Sequence, residues 1–193
     1  MKKLIIGIGI PGSGKTTILK NFAVKNNYAY ICPDDIRQEI SGDVYDRSKN
    51  KEVWIEAKKR VAEKFSAKGG SLPAGRHGAS GGNNGNAVVF DATFANPRER
   101  KEFLGYAREN GAEKIEGIFV DIPVEIAKER NMKRERNVPE PDIDRMNMNI
   151  KKFPPEIADG FDALFTLDER GNLSKVEMIR EGKIIKKEFG KIS

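Results

Sequence analysis

Short runs of branched apolar residues alternate along the chain with longer stretches whose apolar positions recur every three or four residues. This is the pattern of stacked βαβ units, an α/β fold with helices flanking a mostly parallel central sheet. Residues 4–8 read as a buried first strand, 15–25 as a helix, 28–32 as a second strand and 35–40 as a short helix. Between 49 and 68, Trp54, Ala57, Val61 and Phe65 form one apolar stripe, which predicts an amphipathic helix with Lys58, Lys59 and Lys64 outside. Residues 88–91 form an apolar run ending on Asp91, and Asn96-Pro97-Arg98-Glu99 then supplies an N-cap, a first-turn proline and a glutamate at N3. A strand at 115–120, a helix at 125–135, a helix at 142–152 set off by Pro139 and Pro141, and a strand at 163–167 complete the alternation. The turn residues Glu169-Arg170-Gly171-Asn172, between 164–167 and 176–179, predict a terminal antiparallel hairpin.

One stretch breaks the pattern. Residues 69–86 hold 7 glycines among 18 positions and almost nothing apolar, so they cannot contribute to a core. They read as a flexible surface loop or a sequence introduced by cloning, with a binding lid as the sharper alternative. His77, the sole histidine, sits there without a second histidine or a cysteine nearby, which argues against a metal or catalytic role. The remainder fits a single domain over residues 1–193, with 169–193 as a small appendage.

Charge and cysteine usage add modest constraints. The excess of 35 basic over 29 acidic side chains, a net charge of +6, suits a polyanionic ligand as well as an ordinary solvated surface. Cys32 is the only cysteine, so no intrachain disulfide forms and a reducing cytoplasm is the expected compartment. The apolar run after Met1-Lys2-Lys3 ends at Pro11-Gly12, too short for a signal peptide. No later stretch approaches the roughly 20 apolar residues of a membrane span, so the protein is expected to be soluble.

The chemistry concentrates in four places. Gly9-Ile10-Pro11-Gly12-Ser13-Gly14-Lys15-Thr16 satisfies G-x-x-x-x-G-K-[ST], directly after a strand and directly before a helix. Its glycines let backbone N–H groups turn inward around phosphate oxygens at a helix N-terminus, Lys15 reaches the β and γ phosphates, and Thr16, with Thr17 beside it, offers hydroxyls. A nucleoside triphosphate, expected to be ATP, is the implied ligand, with Mg²⁺ held by Thr16 partly through water. The second place is Asp34-Asp35-Ile36-Arg37, at the carboxyl edge of the sheet where α/β folds assemble their sites. One of the acids is fit to accept a hydroxyl proton and Arg37 to hold an anion, although helix capping would also account for the acids. Third, Asp91 has the position of the carboxylate that serves metal or water in P-loop proteins, with Thr93 and Asn96 after it. Fourth, Arg130 and Arg134 lie four apart, which on a helix brings both to one face, able to close over a triphosphate.

Together these residues resemble the kinase domain of the bacteriophage polynucleotide kinase family, which phosphorylates 5′-hydroxyl ends of DNA and RNA. The likeness includes Asp34-Asp35-Ile36-Arg37-Gln38, Asp91-Ala92-Thr93 with Asn96-Pro97, and Arg130-Asn131 with Lys133-Arg134, besides the P-loop, and runs to about residue 152. It implies that Lys15 and Thr16 bind donor phosphates and metal, that Asp34 is the general base, and that Arg37 grips the phosphate next to the acceptor nucleotide. It implies further that Arg134 is the lid arginine, with Arg130 a weaker candidate, and that Asp91 is an acidic position on the acceptor side of the site. Repair of cleaved nucleic acid in a phage-infected cell is the setting implied. Thr16 replaces a serine of that family, and no second Asp-rich strand motif follows residue 152, so 5′ phosphorylation without 3′ phosphate removal is expected. A P-loop kinase of a small metabolite or sugar nucleotide, as in toxin-like kinases, is the competing reading. A nucleotide-dependent switch is a third.

Overall fold

The computed structural model describes residues 1–66, 87–135 and 137–189; the glycine-rich stretch 69–86 with His77, and the last four residues of the appendage, lie outside the described residues. The strands are β1 (Lys3–Ile8), β2 (Ala29–Ile31), β3 (Ala87–Asp91), β4 (Lys114–Val120), β5 (Ala163–Leu167), β6 (Leu173–Arg180) and β7 (Lys183–Glu188). The helices are α1 (Lys15–Asn26), α2 (Pro33–Ser41), α3 (Asn50–Ser66), α4 (Pro97–Glu109), α5 (Val124–Met132) and α6 (Glu140–Lys152). All seven strands share one sheet in the order β2-β3-β1-β4-β5-β6-β7. The first five named run parallel, whereas β6 and β7 are antiparallel.

The parallel strands are apolar almost without interruption because helices cover both faces. Leu4, Ile5, Ile6 and Ile8 of β1 and Val88, Val89 and Phe90 of β3 are all buried. From β1 the chain moves to one side of the sheet to build β3 and β2, then crosses to the other side for β4 and β5. The carboxyl end of β1 is therefore the switch point, where the crossovers diverge and leave a crevice.

Four features differ from the sequence expectation, each for a local reason. The helix after β2 starts at Pro33, two residues early, because proline presets the first helical φ and Cys32 takes the N-cap position. The helix expected to reach residue 135 ends at Met132. There the buried Asn131 side chain donates to Val138 O at 2.9 Å and accepts from Val138 N at 3.1 Å, drawing the following segment back across the helix end. Arg134 consequently lies beyond α5 and does not share a helical face with Arg130. Lys64 is 8% exposed rather than turned outward, since it falls three residues past Val61 on the same buried stripe. Finally, β7 extends the expected hairpin to three strands. Its sequence Lys-Ile-Ile-Lys-Lys-Glu is exposed throughout and lacks a buried face to announce it, as suits a charged sheet edge.

The loop after β3 is fixed from two sides. Phe94 adopts φ 46, unusual for a non-glycine residue. Its ring packs against Trp54 and Phe103, with centroids at 6.0 and 5.1 Å. Its carbonyl accepts from Arg100 Nη1 at 3.0 Å. Arg100 is 0% exposed; its Nε donates to Asp159 at 2.7 Å and its Nη2 to the carbonyls of Phe153 and Pro154, both at 3.3 Å. Arg100→Ala strips these carbonyls of this donor and leaves Asp159 with Lys101, at 3.4 Å, as its one cationic partner among the described residues. The expected loss is about 3–5 kcal/mol of unfolding free energy, read from urea titration.

Candidate active site

The G-x-x-x-x-G-K-[ST] segment leaves β1 at its carboxyl end and enters α1 at Lys15. Gly12 and Gly14 have φ of 83° and 90°, the left-handed region in which a side chain is strained. At Gly12 there is a second constraint, because a Cβ would lie 2.0 Å from the carbonyl oxygen of Ala127. Helix α5 is thus seated directly on the loop. One turn further along α5, Nη1 of Arg130 would stand 3.9 Å from a Cβ on Gly14, which puts that guanidinium beside the phosphate cradle. Arg130 Nη2 donates to Glu169 O at 2.9 Å, so the β5–β6 turn holds it from behind.

Beneath the loop, Lys15 Nζ donates to Asp91 Oδ1 and forms a buried ion pair with it. The Tyr30 hydroxyl donates to Asp91 Oδ2 at 2.6 Å. Burial alone would raise the Asp91 pKa, yet the Lys15 charge and hydrogen bonds from Lys15, Tyr30 and Thr16 outweigh it and hold the carboxyl below its ordinary value. Burial, and then the Asp91 charge, push the Tyr30 phenol far upward, so it stays a donor. The Thr16 hydroxyl beside the Asp91 carboxylate is a pair of hard oxygen donors of the kind that suits Mg²⁺.

The two acids at the start of α2 part company. Asp34 accepts from Arg37 Nη1 at 2.5 Å and lines the cleft in front of the P-loop. Asp35 is not among the cleft residues; its side chain stands 4.0 Å from Lys20, and burial raises its pKa against that lysine's pull. Neither occupies the N-cap position, which Cys32 takes. Arg37 is only 8% exposed, with Nη2 donating to Asn50 Oδ1 at 2.8 Å and a buried Nε that has no partner.

A cleft of about 520 Å³ joins these groups. Gly9, Gly12, Ser13, Gly14, Lys15, Thr16 and Thr17 line it, as do Asp34, Arg37, Arg130 and Arg134. Arg134 reaches it from the turn after α5. Asp91 does not line it, being 3% exposed behind Lys15. Sequence reasoning missed Tyr30 and the cleft residues Val44, Arg47, Asn50, Val138 and Met146. Alternation along β2 put Tyr30 on one of two faces without indicating which would meet Asp91. The others come from two connecting loops, the start of α3 and the middle of α6, and no spacing rule in the sequence joins them.

A family model described as an AAA domain matches residues 4–153, which include every one of these groups except Glu169. The chain belongs to the AAA domain family. A protein of Acanthamoeba polyphaga mimivirus named as a bifunctional polynucleotide phosphatase/kinase is 25% identical over 171 residues, or 86% of this chain. The match spans 33% of that relative's length, so the chain corresponds to about a third of it. Among solved structures, a protein of Chloroflexus aurantiacus named as a kinase matches with TM-score 0.61 and 15% identity, over 86% of this chain and 88% of that one. The Pnkp1/Rnl/Hen1 complex matches with TM-score 0.52 and 23% identity, over 72% and 40%. A sugar kinase and shikimate kinases share the fold. This AAA domain thus has the fold of P-loop kinases and is similar in sequence to a protein named as a polynucleotide phosphatase/kinase. No helix among the described residues is long and apolar enough to cross a membrane.

Two outcomes follow from the geometry. Gly12→Ala forces α5 off the loop, and nucleotide affinity measured by titration calorimetry is expected to fall roughly tenfold or more while far-UV circular dichroism is retained. For the Lys15–Asp91 pair, the folded pKa of Asp91 is lower than its ordinary 3.8, so the pair contributes fully above that value and is lost only as pH falls through the folded one. The stability gap between the native chain and Asp91→Asn, from urea unfolding, is therefore expected to be level over about pH 5–8 and to shrink below about pH 4.

Proposed function

We propose that this AAA domain transfers the γ-phosphate of a nucleoside triphosphate, ATP being the expected donor, to the 5′-hydroxyl end of a DNA or RNA strand. One observation carries the reading: the P-loop and the Asp34–Arg37 pair line a single cleft, so donor and acceptor groups face one another. The mimivirus relative's name points to the same acceptor class.

In this reading the P-loop N–H groups and Lys15 hold the β and γ phosphates, Lys15 turning to them from Asp91. Mg²⁺, which Thr16 would hold directly or through water with Asp91 orienting the threonine from behind, would supply neutralising charge to the phosphates when bound. Arg37, stripped of water and tied to Asn50, presents its guanidinium to the phosphate on the 3′ side of the acceptor nucleotide. Asp34 accepts the 5′-hydroxyl proton. The hydroxyl oxygen then bonds to the γ-phosphorus as the bond to the β,γ-bridging oxygen breaks, giving a 5′-phosphate and a nucleoside diphosphate. Arg130 and Arg134 face the equatorial oxygens, where charge accumulates in a loose transition state. Asp91 acts through Lys15 and Thr16, and so belongs to the donor side rather than the acceptor side. A cytoplasmic setting fits a fold with one cysteine.

The competing acceptor is a small metabolite, because sugar and shikimate kinases share the fold. Transfer of labelled γ-phosphate from ATP to a 5′-hydroxyl oligonucleotide separates the two. Label is expected on the oligonucleotide, reduced about 10²–10⁴-fold in Asp34→Ala and lost in Lys15→Ala. ATP hydrolysis with no label on DNA or RNA would sink the polynucleotide reading and leave the metabolite one.

A further inference from the structure

The cleft contains more positive charge on its acceptor side than a single phosphate requires. Arg47, from the loop between α2 and α3, lines it together with Arg37, Val44, Val138 and Met146. That loop is folded upon its own backbone: Asp43 Oδ1 accepts from Tyr45 N and Asp46 Oδ1 from Ser48 N, each at 2.8 Å. Two acidic side chains are thereby engaged within the loop, while Val44 and Arg47 reach the cleft.

Across the cleft, Arg47 Nη2 stands 3.8 Å from Asp142 Oδ2 on α6. This pair is loose, and Asp142 has a closer partner, since Arg145 Nη2 donates to its Oδ1 at 2.7 Å. Asp142 therefore remains neutralised when Arg47 turns away. The two arginines of the acceptor side differ in kind. Arg37 is buried and held at Asp34 and Asn50, whereas the Arg47 side chain is 66% exposed and has no tighter partner than Asp142 among the described residues. A rigid guanidinium suits the phosphate nearest the reacting hydroxyl, and a mobile one at the mouth suits a phosphate further along the same strand. The apolar side chains of Val44, Val138 and Met146 offer a surface for a base between them.

Resting on the proposed polynucleotide reading, we propose that Arg47 forms a second phosphate subsite, which takes the next phosphate along the strand, one step 3′ of the phosphate held by Arg37. It makes this chain select acceptors that carry a second phosphate over a nucleoside 3′-monophosphate. Its exposure makes the contact sensitive to salt.

The test compares, in the full chain with ATP and Mg²⁺, a 5′-hydroxyl nucleoside 3′-monophosphate with a 5′-hydroxyl dinucleotide bearing a 3′-phosphate. The native chain is expected to prefer the dinucleotide roughly tenfold in kcat/KM, carried by KM. In Arg47→Ala that preference collapses toward unity, and in Arg47→Lys part of it returns. The slope of log kcat/KM for the dinucleotide against log salt also falls by roughly 0.7 in Arg47→Ala, as one released counterion requires. Label on both acceptors with the preference intact in Arg47→Ala overturns the subsite alone. Absence of label on either acceptor overturns the polynucleotide reading and the subsite with it.

Discussion

The Lys15 ammonium set against the Asp91 carboxylate beneath the P-loop is the contact from which the rest of the site is aligned. Lys15 begins α1, Asp91 ends β3, and Tyr30, which donates to the same carboxylate, lies on β2. One buried anion thus brings together two neighbouring strands and the helix that follows the P-loop. Desolvating two charges is costly, and here the cost is offset because Asp91 is met by an ammonium and two hydroxyls rather than a single partner. The same completeness keeps it ionised, which any role toward a metal or a phosphate-binding lysine demands.

A second constraint works through the backbone. Because Gly12 has no side chain, the Ala127 carbonyl sits where a Cβ would be, and α5 lies on the loop it serves. Arg130 is carried into place by this packing. The β5–β6 turn then fixes its guanidinium through Glu169 O. The turn that opens the C-terminal hairpin, which sequence alone left without a purpose, becomes the outer support of Arg130 beside the P-loop.

Much of this architecture was legible from the residues. The P-loop lies between a strand and a helix as its spacing demands, the parallel strands fall on the apolar runs, and Asn96 caps α4 through its own side chain. What escaped has a common physical character. The end of α5 is decided by Asn131 reaching a residue seven positions on, and Lys64 is buried by a stripe that admits a long aliphatic stem. Neither is a property of a short window. Of the acidic pair, sequence ranked Asp34 first only through resemblance; geometry separates them independently, since Asp34 meets Arg37 in the cleft while Asp35 faces Lys20 outside it.

Arg37 itself links fold to chemistry. Its guanidinium is nearly sealed from water, and two of its nitrogens are engaged by Asp34 and Asn50, while the buried Nε is left without a partner. Burying a donor without an acceptor is destabilising by about 1–3 kcal/mol. A side chain used only to brace α2 against α3 would gain by turning that nitrogen to solvent or to a carbonyl. Holding the guanidinium in place at this cost is reasonable where its plane must already be set when an anion arrives, because a group ordered in advance loses little further entropy on binding. In the proposed polynucleotide reading, rigidity is therefore concentrated where the reacting end must be aimed. The freer charge stands at the mouth, where a strand needs only to be steered.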